Sequence, residues 1–360
     1  MRKRSVSCLL LLWLALSVFA WAKAPDQLSQ SERRKLDQFQ TPTAVSLRSG
    51  AWMRHFESAA TDQFPMREQF RHLRAVFSTG LYRQQDSHGI YSYQGYLEAL
   101  TGPLNSASVK GAAEKLTALR NSYFGASSVY LAIVPDKGYF LPEEAGYPIM
   151  DYDALFAQMA ALLPFAEPVD LTGTLSLESY FRTDSHWRQE KLSGTAEVLA
   201  DAMGVTLSGD YDREVVKTDF LGVYAGQSAL SVPSEPMYRL HNDVLDRCTV
   251  FNQETGATTA LWDWDALQGR DPYDFYLSGS ASFLVIQNPD GPEGRELIVF
   301  RDSFGSSLIP LLCEGYQTVT VVDTRYLQPR LLGELLDFHG QDVLLLYSTG
   351  LLNHSATLRA

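Results

Sequence analysis

Apolar residues recur at helical spacing between Trp52 and Tyr82, where Phe56, Phe64, Phe70, Leu73, Val76, Phe77 and Leu81 predict helix. The same spacing predicts helices over 108–122, over 151–163, and from Trp187 to Met203, the last stopped by Gly204. Short apolar runs between them read as strands: Ile90 to Leu97, Val129 to Val134 and Val169 to Leu171. From 209 to 290 the pattern changes. Gly, Asp, Tyr and β-branched residues mix there with turn signals such as Asn288-Pro289-Asp290-Gly291, which predicts a β-rich antiparallel insertion. Strand and helix then alternate cleanly through Leu297–Phe300, Phe304–Leu312, Thr318–Val322, Leu327–Asp337 and Val343–Tyr347. Short apolar strands separated by helices predict an α/β fold, with a parallel sheet flanked by helices on both faces.

The first 22 residues carry a different pattern. Arg2, Lys3 and Arg4 precede an apolar run from Val6 to Ala22, and Ala20-Trp21-Ala22 is followed by Lys23. A basic start, a leucine-rich stretch and a small-residue site read as a secretory signal. The run is slightly short for a membrane span. A retained anchor stays open as the alternative, because Trp21 sits where interfacial aromatics do. Either way the body of the protein is expected outside the cytoplasm. The chain therefore reads as a signal or anchor over 1–22, a polar linker over 23–50, and a catalytic domain over 51–360 containing the insertion at about 209–290.

Charge narrows the partners. The net charge is −12, and it becomes −15 without the three basic residues of the start. So acidic a body repels phosphate backbones, which excludes nucleic acid as the expected partner. Cys8 lies within the apolar start, leaving Cys248 and Cys313, whose pairing the spacing does not decide. The seven histidines are scattered without metal-ligand spacing, so neither a metal nor another cofactor is expected. Aromatic residues make up 12%, which suits sugar stacking and ordinary core packing alike.

The sharpest local feature is the run from Glu296 to Leu308. An apolar strand enters a tight turn carrying Arg301, Asp302 and Ser303, and a helix follows at once. In open α/β sheets ligands bind at the carboxyl ends of strands, and helix N-termini present free N–H groups. A serine there is placed to attack a carbonyl while backbone N–H groups hold the oxyanion. The plainer alternative is that Asp302 or Ser303 only caps the helix. A serine also needs a base. The segment from Tyr180 to Trp187 offers one: in an extended stretch Asp184 and His186 point the same way, so the carboxylate can orient the imidazole. Read plainly, Asp184 is a cap and His186 a first-turn residue. The two segments together make the catalytic reading stronger than either does alone.

These segments, Asp184-Ser185-His186-Trp187 and Arg301-Asp302-Ser303-Phe304, resemble the DHHW proteins and the alginate O-acetyltransferases of the SGNH-hydrolase-like superfamily. Phe64 to Arg67, Gly95 to Leu97, Val134 to Lys137 and Asp271 to Phe275 look like further stretches of that family, in the right order. Ser185 departs from the name-giving motif by replacing its first His. The resemblance implies an SGNH-like fold with Ser303 as nucleophile, His186 as general base and Asp184 as its partner. It also implies O-acetyl transfer to an extracytoplasmic polysaccharide or cell-wall glycan, with a membrane-bound acyltransferase as acetyl supplier.

Two other readings use the same residues. Water in place of a sugar hydroxyl would make the chain a carbohydrate esterase. A chain that kept the fold and lost the chemistry would be a polysaccharide-binding or assembly protein. Three further residues are candidates for oxyanion or substrate contact. Gly279 lies in Ser278-Gly279-Ser280, where a turn glycine is the alternative. Arg325 and Tyr326 follow the strand Thr318–Val322, where a surface ion pair and a packing ring are the alternatives.

Overall fold

The computed structural model describes residues 2–142 and 146–359, without the side chains of 2–5, 9, 12 and 21. Arg2, Lys3, Arg4 and Trp21, on which part of the export reading rests, therefore lie outside the described side chains. The chain forms two compact units. The smaller comprises Met1–Tyr91 with Val223–Val232, and the larger Ser92–Gly222 with Pro233–Ala360.

In the smaller unit the N-terminal segment forms α1 (Arg2–Ala22), α2 (Ala44–Arg48), α3 (Ala51–Asp62) and α4 (Arg67–Val76), the last running on as a π-helical turn, Phe77–Leu81, and a short helix, Val223–Ser228, joins them. The single helical pattern predicted from Trp52 is broken at 63–66. Pro65 has no N–H to give, and Met66 takes φ of 57°, a left-handed value that no helix continues. The stretch expected as a loose linker is held down. Buried Asp62 accepts from Arg34 Nη1 at 2.7 Å and from the Asp37 N–H at 2.8 Å. By contacts, these residues belong with the helices that follow, in a unit that runs to Tyr91. Among the described residues no helix is long and apolar enough to cross a membrane.

The larger unit is built on one eight-stranded sheet. Its strands, with a short outlying β1 (Tyr96–Ala99), are β2 (Val129–Val134), β3 (Glu167–Val169), β4 (Asp212–Phe220), β5 (Glu235–His241), β6 (Thr249–Asn252), β7 (Ala257–Ala260), β8 (Phe283–Gln287), β9 (Glu296–Arg301), β10 (Thr318–Val322) and β11 (Asp342–Ser348). The sheet order is β7-β6-β8-β10-β9-β11-β2-β3. From β10 to β3 neighbours run parallel, and β8, β6 and β7 add antiparallel strands at the other side. The sheet is thus mixed. The β-rich stretch supplies both its antiparallel edge and a separate ribbon, β4 against β5.

Period-two alternation splits the core between the faces. Ile298, Phe300, Val343 and Leu345 pack with Val109 and Leu116 of α5 (Ser106–Ser122) and with Leu155 and Met159 of α6 (Tyr152–Leu162). Leu297, Val299, Leu344 and Leu346 pack with Leu199 of α7 (Ser193–Met203) and with Leu308 and Leu311 of α8 (Gly305–Leu312). With both faces covered, these strands read as continuous apolar runs. The helix predicted over Leu327–Asp337 shrinks to Leu332–Leu335, because Pro329 opens a 3-10 turn ahead of it. Cys248 and Cys313 are separate buried thiols, each directed at the carbonyl four residues earlier.

Candidate active site

β9 ends at Arg301, and the chain turns sharply through Asp302 and Ser303 into α8. Asp302 fixes this turn. Its Oδ1 accepts from the Phe304 N–H at 3.0 Å and its Oδ2 from the Ser348 N–H at 2.8 Å, at the end of neighbouring β11. The capping alternative therefore falls to Asp302 alone, and the Ser303 hydroxyl is left for another partner. That partner is His186, whose Nε2 lies 2.8 Å from Ser303 Oγ.

On its other side His186 Nδ1 lies 2.6 Å from Asp184 Oδ1, which also accepts the His186 backbone N–H at 3.1 Å. An Nδ1–H donated to the carboxylate leaves Nε2 to accept from the serine. Sequence reasoning expected an extended segment here. Instead a loop is closed by the Tyr180–Trp187 bridge and by the Phe181 N–H on His186 O at 3.0 Å. The loop is tied to the nucleophile turn, since Trp187 Nε1 donates to Phe304 O at 2.9 Å and Gln189 Nε2 to Ser307 O at 2.7 Å. The Asp184 side chain is fully buried, that of His186 is 12% exposed, and Ser303 is half-buried. The reactive oxygen thus lies at the solvent edge and the carboxylate at the dry end.

Two groups that sequence reasoning left without a role complete the surroundings. Tyr273 stacks on His186, with ring centroids 4.0 Å apart and planes 10° apart, and its hydroxyl lies 2.8 Å from Ser307 Oγ. Burial pushes its phenol well above the ordinary range, so it stays neutral. Lys137 is fully buried beneath the loop, donating to Asp184 O at 2.6 Å, to Phe181 O at 3.1 Å and to Leu97 O. Its ammonium also lies 3.5 Å from Glu98, whose carboxyl burial raises to about 8. Both residues stand in stretches that carried the family likeness. Their placement depends on contacts far along the chain.

The remaining candidates divide. Arg325 and Tyr326 do follow β10 at the same sheet end as Ser303, since Phe300 pairs in register with Val322. Arg325, however, spends its guanidinium on Asp323, with Nη2 at 2.6 Å from Oδ2, and lies over the exposed Tyr326 ring at 5.3 Å. Gly279 takes the turn alternative rather than the oxyanion one. Its N–H donates to Tyr276 O at 3.2 Å and its carbonyl accepts from buried Arg301 Nη2 at 2.9 Å, so it is a turn residue and not an oxyanion donor. Among the described residues, no acceptor is paired with the Ser303 N–H itself.

The fold is α/β, a largely parallel sheet flanked by helices, with Ser303, His186 and Asp184 gathered at one end of it. Residues 175–322 match the family model described as DHHW protein, and this segment holds Asp184, His186 and Ser303. The resemblance to DHHW proteins is thereby shown for the part of the chain that builds the site. Two solved structures agree in fold. A DHHW family protein from Eubacterium siraeum is 19% identical with a TM-score of 0.62, over 76% of this chain and 97% of that one. Bacillus cereus PatB1 is 16% identical with a TM-score of 0.58, over 73% of this chain and 96% of that one. The O-acetyltransferase domain of Pseudomonas putida AlgJ is more distant, 13% identical with a TM-score of 0.46, over 74% of this chain and 92% of that one. No curated protein matches the sequence.

Proposed function

We propose that this chain is an exported serine-dependent O-acyltransferase that acetylates a polysaccharide or cell-wall glycan. The observation that carries the reading is the unbroken relay from Asp184 through His186 to Ser303, at 2.6 and 2.8 Å. Ser303 Oγ attacks the carbonyl carbon of an acetyl donor while His186 Nε2 takes the hydroxyl proton. The buried Asp184 carboxylate stabilises the imidazolium that forms, and the Ser303 N–H faces the developing oxyanion. The tetrahedral intermediate collapses with loss of the donor's leaving group, which takes the proton back from His186. An acetyl ester on Ser303 remains. A sugar hydroxyl then gives its proton to His186 and attacks that ester, and the second tetrahedral intermediate releases O-acetyl sugar and Ser303, whose Oγ takes the proton back from His186.

Export is supported by the basic and apolar start of the chain, and a membrane-bound acyltransferase is the class of partner that would supply acetyl groups. PatB1 is known with a sulfonyl adduct, which recommends a sulfonyl fluoride as the probe here. The test is acetyl release from a chromogenic acetyl ester, with and without polysaccharide. Transfer to acceptor that disappears in Ser303→Ala supports the reading. Hydrolysis indifferent to acceptor would make the chain an esterase, and a folded protein that neither turns over donor nor takes up the probe would leave only a binding role.

A further inference from the structure

Among the described residues, α4 is built inside out. Arg67 and Arg71, one turn apart and each only 11% exposed, point into the smaller unit. There they meet Glu32, and Arg71 Nη2 also donates to Gly226 O at 3.0 Å and Gln227 O at 2.8 Å. Beside them Phe70, Leu73, Phe77 and Leu81 stand out at 44%, 49%, 46% and 65% exposure, Phe70 with one side of its ring against Phe64 at 5.3 Å between centroids. Their spacing of three, four and four residues makes a continuous apolar stripe along α4 and its π-helical extension. Water does not favour this arrangement. At about 25 cal/mol per Å² of apolar surface, a stripe of four large side chains is a standing cost unless something covers it.

The rest of the unit says what covers it. Among the described residues, nineteen of the 27 large hydrophobic residues that are exposed lie in the smaller unit, including Leu10, Leu11 and Trp13 of α1. They are spread over several helices rather than gathered in one groove. Charge is divided just as unevenly. Without its three basic starting residues the smaller unit still holds 10 Lys and Arg against 7 Asp and Glu, and the larger holds 17 against 35. Arg74 and Arg83, both exposed, flank the apolar stripe. Apolar side chains dispersed among cations suit a lipid leaflet with anionic headgroups, where rings and aliphatic chains enter the acyl boundary and guanidinium groups meet phosphate. A protein partner would call for a compact and shape-matched patch.

We infer that the smaller unit is a membrane-surface module, in which residues 67–81 lie in the plane of an anionic leaflet with Phe70, Leu73, Phe77 and Leu81 in the lipid. The inference does not depend on the acyl-transfer reading, since it draws only on the smaller unit. The test uses the full chain with Cys8→Ser, because Cys248 and Cys313 are buried. An environment-sensitive fluorophore is attached at Leu73→Cys or, as a control in the larger unit, at Phe251→Cys. Vesicles of phosphatidylglycerol with phosphatidylcholine should shift the probe at 73 to the blue and expose it to quenching by brominated acyl chains. The probe at 251 should stay in water. Replacing Arg74 and Arg83 by Gln should weaken partitioning by about fivefold for each cation lost.

Four results would overturn the inference. One is aqueous emission from position 73 on vesicles that have bound the protein, which would leave α1 alone in the membrane. Another is a blue shift without vesicles that grows with protein concentration, the mark of a second copy. The third is binding indifferent to phosphatidylglycerol and to both arginines, and the fourth is a shift that needs a protein in the vesicles.

Discussion

The phenol ring of Tyr273 lies flat against the imidazole of His186, 4.0 Å away and within 10° of parallel. The stack holds the base in the plane that reaches both Asp184 and Ser303. Tyr273→Phe keeps the ring and loses only the contact to Ser307 Oγ. It should leave kcat within a few-fold of the original and lower stability by about 1 kcal/mol. Tyr273→Leu fills part of the space without a flat face, so kcat should fall by at least tenfold while KM for the donor moves little. Steady-state kinetics beside a denaturant titration separates the two effects, and equal loss of kcat in both variants would contradict the stacking role.

A second expectation concerns the Asp184 carboxylate. Asp184→Asn removes the charge that faces the imidazolium, and its amide can offer the imidazole the wrong partner. The loss in kcat should be about 10³–10⁴-fold, as expected when the orienting acid of such a relay is neutralised. Uptake of a sulfonyl fluoride at Ser303 should slow in parallel, because the same proton transfer activates both reactions. If the probe reacts at the original rate in this variant, the relay does not run through Asp184.

The turn before β8 should tolerate change badly. Leu277, Ser278 and Gly279 follow one another at φ of 52°, 52° and 71°, a left-handed run that costs non-glycine residues energy. A Cβ on Gly279 would come within 2.0 Å of Asp274 Oδ1, so both conformation and space oppose it. Gly279→Ala should lower stability by about 2 kcal/mol or more. It should also loosen Arg301, whose Nη2 is held by the Gly279 carbonyl and whose Nη1 lies 3.2 Å from Ser306 Oγ. A thermal melt that matched the parent would show that this turn carries no such load.

How far these relationships could be read in the sequence follows from their range along the chain. Ser303 was legible because strand, turn and helix are contiguous there and each leaves a local pattern. Asp184 and His186 were legible as a pair through their spacing, though the loop that joins them bends where an extended run was expected. The bend is imposed by the Tyr180–Trp187 bridge and by Lys137 beneath it, neither of which has a local signature. Gly279 stayed ambiguous for the opposite reason. A glycine near a nucleophile suits an oxyanion hole and a tight turn equally, and only its hydrogen bonds tell them apart. The antiparallel edge of the sheet was readable as β-rich sequence, but strand pairing between β8 and β10 joins residues more than 30 positions apart.

The last expectation is a pH dependence of stability set by Glu98 and Lys137. Both side chains are buried, 3.5 Å apart, and burial is the largest influence on each. It raises the Glu98 carboxyl from 4.5 to about 8 and lowers the Lys137 ammonium from its ordinary value. A carboxyl with a raised value in the fold binds its proton more tightly there than in the unfolded chain. Its contribution to stability is therefore complete below about 4.5 and is lost as pH rises through about 8. Lys137 acts in the opposite sense, because a lowered value in the fold favours the native state as pH rises toward the ordinary lysine range. Glu98→Gln isolates the first effect. Between pH 5 and pH 8 the parent should lose stability relative to this variant, as read from urea midpoints at each pH. Lys137→Met should be the more damaging change, since it strands the carbonyls of Asp184, Phe181 and Leu97 and leaves Glu98 without its neighbour. Parallel midpoint curves for the parent and Glu98→Gln across that window would show that the buried carboxyl does not titrate with folding.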